Sequence, residues 1–421
     1  MTRPQLLVVT IILLSLGACG GGSSSSSGGS GADNSSSSSN SNATLTGLSV
    51  AATATDLHYF GDLWPATWAD DDKVYLAFGD GTGMKNCVPS LSLSAGFSPA
   101  VPGVVVDWSD TTIGGSASQA ACTTSGQWSP GLAPPQGAGF YSDFCDHYDC
   151  NACYELCRFT PNGLIALSGT PPTFNDCSGS DQCIVYRNLP TDYATANSTW
   201  VKTSSLISVG SRLLLAAHYP AGTVTDGYLA YSDDHGQSWT TVSNSPWSGN
   251  SHFRVLIFLQ MGQAYGDNSD GYLYAFGLDH ELNQPTATLM DVYLARVPKD
   301  QAHDYSAWEY YTGAAQSWSA SQSDAVPVSG LYTYAQASAM YHSGLKKYLF
   351  FSGYTESDVK GAVFAAEQPW GPWTRVDTFP GGFIGSLIPK GTGANSVYFT
   401  GAGGGGYDYT LNITALSFTT Q

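Results

Sequence analysis

Five times along the chain, an apolar segment, a polar turn and a second apolar segment follow one another. "LWPATWA" from Leu63 leads through "ADDD" to "KVYLAFGDG" from Lys73, and "SSLISV" from Ser204 leads through "SVG" to "SRLLLAAHY" from Ser211. "VLIFLQMG" from Val255 precedes "DNSD" and "GYLYAFGLD" from Gly271. "QASAMY" from Gln336 precedes "HSGL" and "KKYLFFSGY" from Lys346, and "FIGSLIP" from Phe383 precedes "GTGAN" and "SVYFTGAGG" from Ser396. Short apolar runs separated by turn residues read as β-hairpins. Three later stretches add an apolar strand, a turn and a tryptophan: 226–242 with Trp239, 291–313 with Trp308, and 361–376 with Trp373. A repeated four-stranded unit of this kind predicts an all-β chain built as a five-bladed β-propeller. A large β-sandwich is the alternative, and the recurrence of turn and tryptophan at the same place favours the propeller.

The turn Ser232-Asp233-Asp234-His235-Gly236-Gln237-Ser238-Trp239 fits the pattern Ser-x-Asp-x-Gly-x-Ser-Trp. Asp and Ser side chains satisfy turn backbone groups, and glycine supplies a positive φ. The pattern resembles the Asp-boxes of sialidases and other propellers, and it bears on fold rather than chemistry. Composition agrees. Forty-eight glycines disfavour a helical protein. A formal charge of −18, from 33 acidic and 15 basic residues, argues against a nucleic-acid partner.

The first residues carry a different message. Arg3, the apolar run 6–17 and small residues around Cys19 form an export signal too short to span a bilayer. "LGAC" (Leu16 to Cys19) resembles the bacterial lipobox, which implies cleavage before Cys19 and lipid attachment there. Residues 1–18 are then the lipoprotein signal peptide and 19–43 a Ser/Gly-rich tether. Residues 44–421 are the propeller domain. The expected location is the bacterial cell envelope, with membrane contact through the lipid anchor only and a monomeric state. Eight cysteines remain: Cys87, Cys122, Cys145, Cys150, Cys153, Cys157, Cys177 and Cys183. In an exported chain they read as disulfides. Most lie in an expected insert at about 109–187, between the first and second blades.

The first hairpin carries candidate chemistry. Pairing outward from a turn at Asp71-Asp72 sets Asp62 opposite Asp80. Two carboxylates at the open end of an innermost hairpin would converge near the mouth of the channel. Like charges in proximity separate their pKa values, as glycoside hydrolysis requires. The bland reading keeps Asp62 as a turn cap and Asp80 as part of the turn-prone "GDG". Candidate substrate-binding residues near inner-strand ends are Trp64, Lys202, His252, Arg254, Tyr265, Asp270 and Lys390. Aromatic rings would stack on sugars, and the charged groups would fix hydroxyls or a carboxylate. No cofactor motif is present. "GAGGGG" (Gly401 to Gly406) has no following helix to make a phosphate loop, and no ligand spacing supports calcium.

The pattern "GD-WP-TWADD---Y-AFGDG", with "VYLARVPKD" and "PWGPW", resembles a five-bladed, glycosidase-like propeller family of unassigned function. Its relatives include bacterial enzymes that cleave D-arabinan. The resemblance implies a catalytic acid at Asp62, the start of the first inner strand, and a paired acid at Asp80. The expected activity is glycoside hydrolysis of a polysaccharide or oligosaccharide, an arabinan-like glycan among them, by two-carboxylate acid/base chemistry. The alternatives are a non-catalytic carbohydrate-binding or adhesion lipoprotein and a polysaccharide lyase.

Overall fold

The structure is a computed structural model that describes residues 44–81, 160–175, 184–187, 202–218, 226–280, 289–314, 317–335, 337–356, 360–380, 385–402 and 410–421. The chain divides into Met1–Ser41 and Asn42–Gln421, and every described residue belongs to the second unit. The signal peptide, the tether, Cys19 and all eight other cysteines lie outside the described residues. Among the described residues there is no α-helix, and no helix is long and apolar enough to cross a membrane.

Strands follow one another as antiparallel meanders. β1 (Leu45–Val50) and β2 (Thr55–Phe60) lead into β3 (Ala66–Trp68), β4 (Val74–Gly81), β5 (Thr160–Leu167) and β6 (Ile184–Arg187), which pair in that order. The second sheet is β7 (Lys202–Val209), β8 (Arg212–His218), β9 (Gly227–Ser232) and β10 (Thr240–Thr241). β11 (Val255–Gln260) and β12 (Tyr272–Leu278) precede a short β13 (Met290–Asp291). β14 (Tyr293–Pro298), β15 (Glu309–Tyr311) and β16 (Trp318–Ser319) then continue the sheet of β11 and β12, while β13 pairs with β17 (Tyr332–Thr333). β18 (Ser338–His342), β19 (Lys347–Glu356), β20 (Lys360–Ala366) and β21 (Thr374–Pro380) form the next meander. β22 (Leu387–Ile388), β23 (Ser396–Gly401) and β24 (Thr410–Thr420) form the last, and β1 and β2 both pair with β24. The hairpins read from the sequence are therefore present at their expected places.

The insert needs a correction. Its expected span of about 109–187 includes β5 and β6, which extend the sheet of β4 with Leu76 facing Ile165 and Gly163 facing Arg187. "TPNGLIAL" and "IVYR" are ordinary strand sequences that happen to lie among the cysteines.

The first strands of successive sheets pack on one another in turn: β3 on β7, β7 on β11, β11 on β18, β18 on β22, and β22 on β3. Among the described residues, only β11 and β18 join by a parallel ladder, with Leu259 facing Ala339. Elsewhere polar side chains stitch backbone to backbone. Buried Thr67 donates to Gln260 Oε1 (2.9 Å) and accepts from Ser208 N (2.9 Å), and Gln260 donates to the Leu206 carbonyl (2.7 Å). Ser205 Oγ accepts from Phe258 N, Ser386 Oγ from Ala66 N, and Ser338 Oγ from Leu387 N. Edges of parallel inner strands carry unpaired amide groups, and these small hydroxyls satisfy them where no ladder forms.

Apolar layers fill the space between sheets. Trp247, Trp308, Phe253 and Tyr310 form one such core, with Trp247 edge-on to Trp308 at 5.2 Å. The recurring tryptophans share a device. Trp64, Trp239, Trp308 and Trp373 each donate Nε1–H to a backbone carbonyl a few residues upstream, at Gly61, Gly236, Ala302 and Pro369. The indole thus buries its area while its single donor closes the local turn. In the Asp-box, Asp234 accepts from Ser238 N and Ser238 Oγ, and Ser232 Oγ accepts from Gly236 N.

Candidate active site at one end of the inner strands

Strand direction decides which predicted residues can meet. Asp62 lies beside Lys202, and Thr67 beside Ser208, so β3 and β7 run the same way. Ser205 lies beside Phe258 and Leu206 beside Gln260, so β11 follows them. Residues that precede inner strands therefore gather at one end of the sheets, and residues that follow them gather at the other.

Asp62 occupies a strained corner. Its amide donates to the Gly79 carbonyl (2.9 Å), and its carbonyl accepts from Gly79 N (3.0 Å) and from Trp64 N (2.9 Å). The last bond closes a three-residue turn around Leu63, whose φ of 67° is followed by 49° at Trp64. Positive φ at two successive bulky residues is costly and persists where the surroundings enforce it. Trp64 does so, being fully buried, stacked at a tilt on Phe78 and bonded to Gly61. The corner aims the Asp62 carboxylate across Gly79. A Cβ added to Gly79 would lie 2.5 Å from Asp62 Oδ1 and 3.4 Å from Lys202 Nζ. Glycine is what lets both charged groups close over β4.

This geometry revises the expected pairing. The partner of Asp62 is Gly79, not Asp80. β3 and β4 pair Ala66 with Leu76, so Asp62 lies four positions from its end of that pair where Gly79 lies three from the other. The tight turn at Leu63 absorbs the extra residue. Asp80 is the next residue of β4, and its side chain lies outside the described set.

Next to this corner runs a row across the second sheet. Buried Lys202 starts β7 and faces His218, which faces Gly227 on β9. His218 is fully buried and shares a 2.7 Å hydrogen bond between Nδ1 and Ser204 Oγ. Gly227 packs so closely on the residue before β11 that a methyl group there would overlap the Arg254 carbonyl. Arg254 is 9% exposed. His252, two residues earlier, pairs through Nδ1 with Asp279 at 2.8 Å and stacks flat on Tyr293 at 3.9 Å. Asp62, Lys202, His252 and Arg254 therefore share one end of the sheets. His218, Ser204 and Asp226 join them. The signal for His218 was a lone histidine closing the apolar strand "RLLLAAH".

Four other candidates go elsewhere. Trp64 is core and offers no face to a ligand. Tyr265 is buried at the far end, where its hydroxyl accepts from Tyr274 N and burial pushes its pKa well above the usual phenol range. Asp270 organises the β11–β12 turn by accepting from Tyr272 N, Asn268 Nδ2 and the Tyr274 hydroxyl. Lys390 is held at that same end by Asp72, through a 2.9 Å ion pair and a short bond to its carbonyl, with its ammonium over Trp68. Lys390 and Trp68, both bonded to the Asp72 carboxylate, hold its pKa below the usual range. Among the described residues, Asp70, Asp71 and His235 bring three metal-type ligand atoms within 4.8 Å of one another. Asp70 is bonded to His235, and Asp71 to Tyr75 and Lys73, so the group reads as a network joining the first two sheets.

Chemically, the near end offers a carboxylate, a buried ammonium, a buried guanidinium and imidazoles. Such a set can hold hydroxyls and an anionic group and can move a proton.

Solved structures that align with the chain share little sequence with it. A glycosyl hydrolase from Bacteroides ovatus is 10% identical, with 89% of this chain and 94% of that chain covered at a TM-score of 0.42. A β-xylosidase/α-arabinofuranosidase from a compost microbial metagenome is 11% identical, with 89% and 98% covered at 0.43. A β-xylosidase, RS223, is 10% identical, with 88% and 98% covered at 0.42. No curated protein matches the chain. A family model matches residues 174–408, more than half of the sequence, and the chain belongs to that family, described as a domain of unknown function (DUF4185).

Proposed function

We propose that the chain is a five-bladed β-propeller glycoside hydrolase whose site lies at the near end of the inner strands. The supporting observation is the Asp62 carboxylate, presented by a strained corner over Gly79 beside buried Lys202. Backbone strain, here at Leu63 and Trp64 beside the carboxylate, clusters at functional sites. The five successively packed first strands support the blade count.

In this reading Asp62 acts with Asp80, its neighbour across the ribbon and one residue on. One carboxylic acid protonates the glycosidic oxygen, and the other carboxylate attacks the anomeric carbon or activates water. Lys202 and Arg254 orient the sugar. Acylation of Cys19, disulfides among the remaining cysteines and a place in the bacterial cell envelope complete the proposal.

The test is a reducing-end assay on a polysaccharide panel that includes arabinans, with Asp62→Asn and Asp80→Asn alongside. Sugar release by the parent and its loss in both variants, at unchanged thermal stability, is the expected result. Release that survives both substitutions would move the chemistry elsewhere. Binding without release by the parent would replace hydrolysis with a binding role.

A further inference from the structure

Arg254 is buried to about nine-tenths, yet among the described residues its Nε has no hydrogen-bond partner. Its chain neighbours Phe253 and Val255 are fully buried in the apolar core. A guanidinium enclosed this way without an acceptor is destabilising. Asp226 precedes Gly227, the residue that abuts the Arg254 carbonyl, and its Oδ1 is buried without a partner as well. A donor in need of an acceptor and an acceptor in need of a donor are thus carried by two stretches of backbone that touch at Gly227 and the Arg254 carbonyl. Lys202 adds a second buried cation on the same row.

We infer that this corner is a subsite for an acidic sugar, in which Arg254 takes the carboxylate and Asp226 takes a ring hydroxyl. The inference rests on the glycan reading above and names its substrate class: a uronate-containing glycan. A sugar acid carries both groups on one ring. A simple anion such as sulfate satisfies Arg254 alone and meets repulsion from Asp226. A neutral sugar satisfies Asp226 and leaves the guanidinium unpaired. Charge-assisted bonds from arginine to carboxylate are strong and directional, which suits this division.

The experiment is calorimetric titration of the full chain with trigalacturonate, galactotriose and sodium sulfate, on the parent and on Arg254→Met. The parent is expected to bind trigalacturonate about 10- to 100-fold more tightly than galactotriose, and sulfate at the same concentration is expected not to compete. Arg254→Met is expected to lose that preference, and to melt no lower than the parent because an unpaired buried charge is gone. Equal affinity for the two trisaccharides, or galactotriose alone binding, overturns the inference and leaves the glycan reading intact. Sulfate competing as well as trigalacturonate also overturns it. Binding of neither trisaccharide overturns it too, and the glycan reading falls only if the polysaccharide panel is silent as well.

Discussion

Replacing Thr67 with valine tests how the inner strands are held together. The change keeps the branched shape and removes one hydroxyl. That hydroxyl donates to Gln260 Oε1 and accepts from Ser208 N, both at 2.9 Å, and Thr67 is 1% exposed. Valine therefore orphans one buried acceptor and one buried donor. Gln260 cannot swing away to find water, because its Nε2 is anchored to the Leu206 carbonyl at 2.7 Å and the residue is itself buried. An unsatisfied buried polar group costs about 1–3 kcal/mol, so the pair should cost about 2–4 kcal/mol after modest relaxation. Thr67→Ser keeps both bonds and loses only a methyl group, for about 1 kcal/mol. Urea unfolding followed by tryptophan fluorescence reads the two variants against the parent. The expected pattern is a lower midpoint at unchanged slope, with valine clearly worse than serine. Valine no worse than serine would mean that shape, not hydrogen bonding, joins these strands, and the stitching argument would fail.

Two further outcomes follow from the same structure. Gly79→Ala places a methyl group 2.5 Å from Asp62 Oδ1. Stability should fall by about 1–3 kcal/mol as the side chain yields, and any hydrolysis should fall at least as far as in Asp62→Asn, since the carboxylate is displaced; full activity in this variant would take Asp62 out of the chemistry. His342 is fully buried, donates Nε2–H to the Ser396 carbonyl at 3.0 Å and accepts from Leu345 N through Nδ1 at 3.1 Å. Burial pushes its pKa below the ordinary 6.5. The unfolded chain then takes up the proton first as pH falls, so this contribution to stability is complete above about 6.5 and declines below it. Melting curves should show His342→Gln losing part of the parent's fall between pH 7 and pH 5, and identical slopes would refute the assignment.

Much of the fold was legible because strand pairs and turn residues are local. The β3–β4 register was readable too: the pairing that sets Asp62 against Asp80 also sets Thr67 against Tyr75, as the strands do. It failed by one residue at the corner, where the turn at Leu63 takes up the extra residue and sets Asp62 against Gly79. Nothing in "GDLWP" announces positive φ at Leu63 and Trp64, because tertiary packing of the indole enforces it. The same packing turned Trp64 from an expected platform into core. The candidate site was half legible. Asp62, Lys202, His252 and Arg254 precede or begin inner strands, whereas Tyr265, Asp270 and Lys390 follow them. Proximity to an inner-strand end was readable from sequence, but the end was chosen without using strand direction, which sorts the two groups completely. His218 ends a second strand and Asp226 precedes a third, and only the cross-strand register brings them to the row.

The pairing of β1 with β24 sets a schedule for assembly. Thr44 and Gln421 exchange backbone hydrogen bonds, and Thr46 reaches Thr419 across 373 residues of sequence. At a synthesis rate of about 5–20 residues per second, β1 waits roughly 20 to 75 seconds for a partner that does not yet exist. During that interval it is a free strand edge. "LTGLSV" is suited to the wait: it is six residues long, it carries Gly47, and its register is broken between Leu45 and Gly47. A short, interrupted and weakly apolar strand makes a poor template for another chain. β24 thus joins β23 to β1 and β2, and a chain cut short before it would leave those strands without that partner.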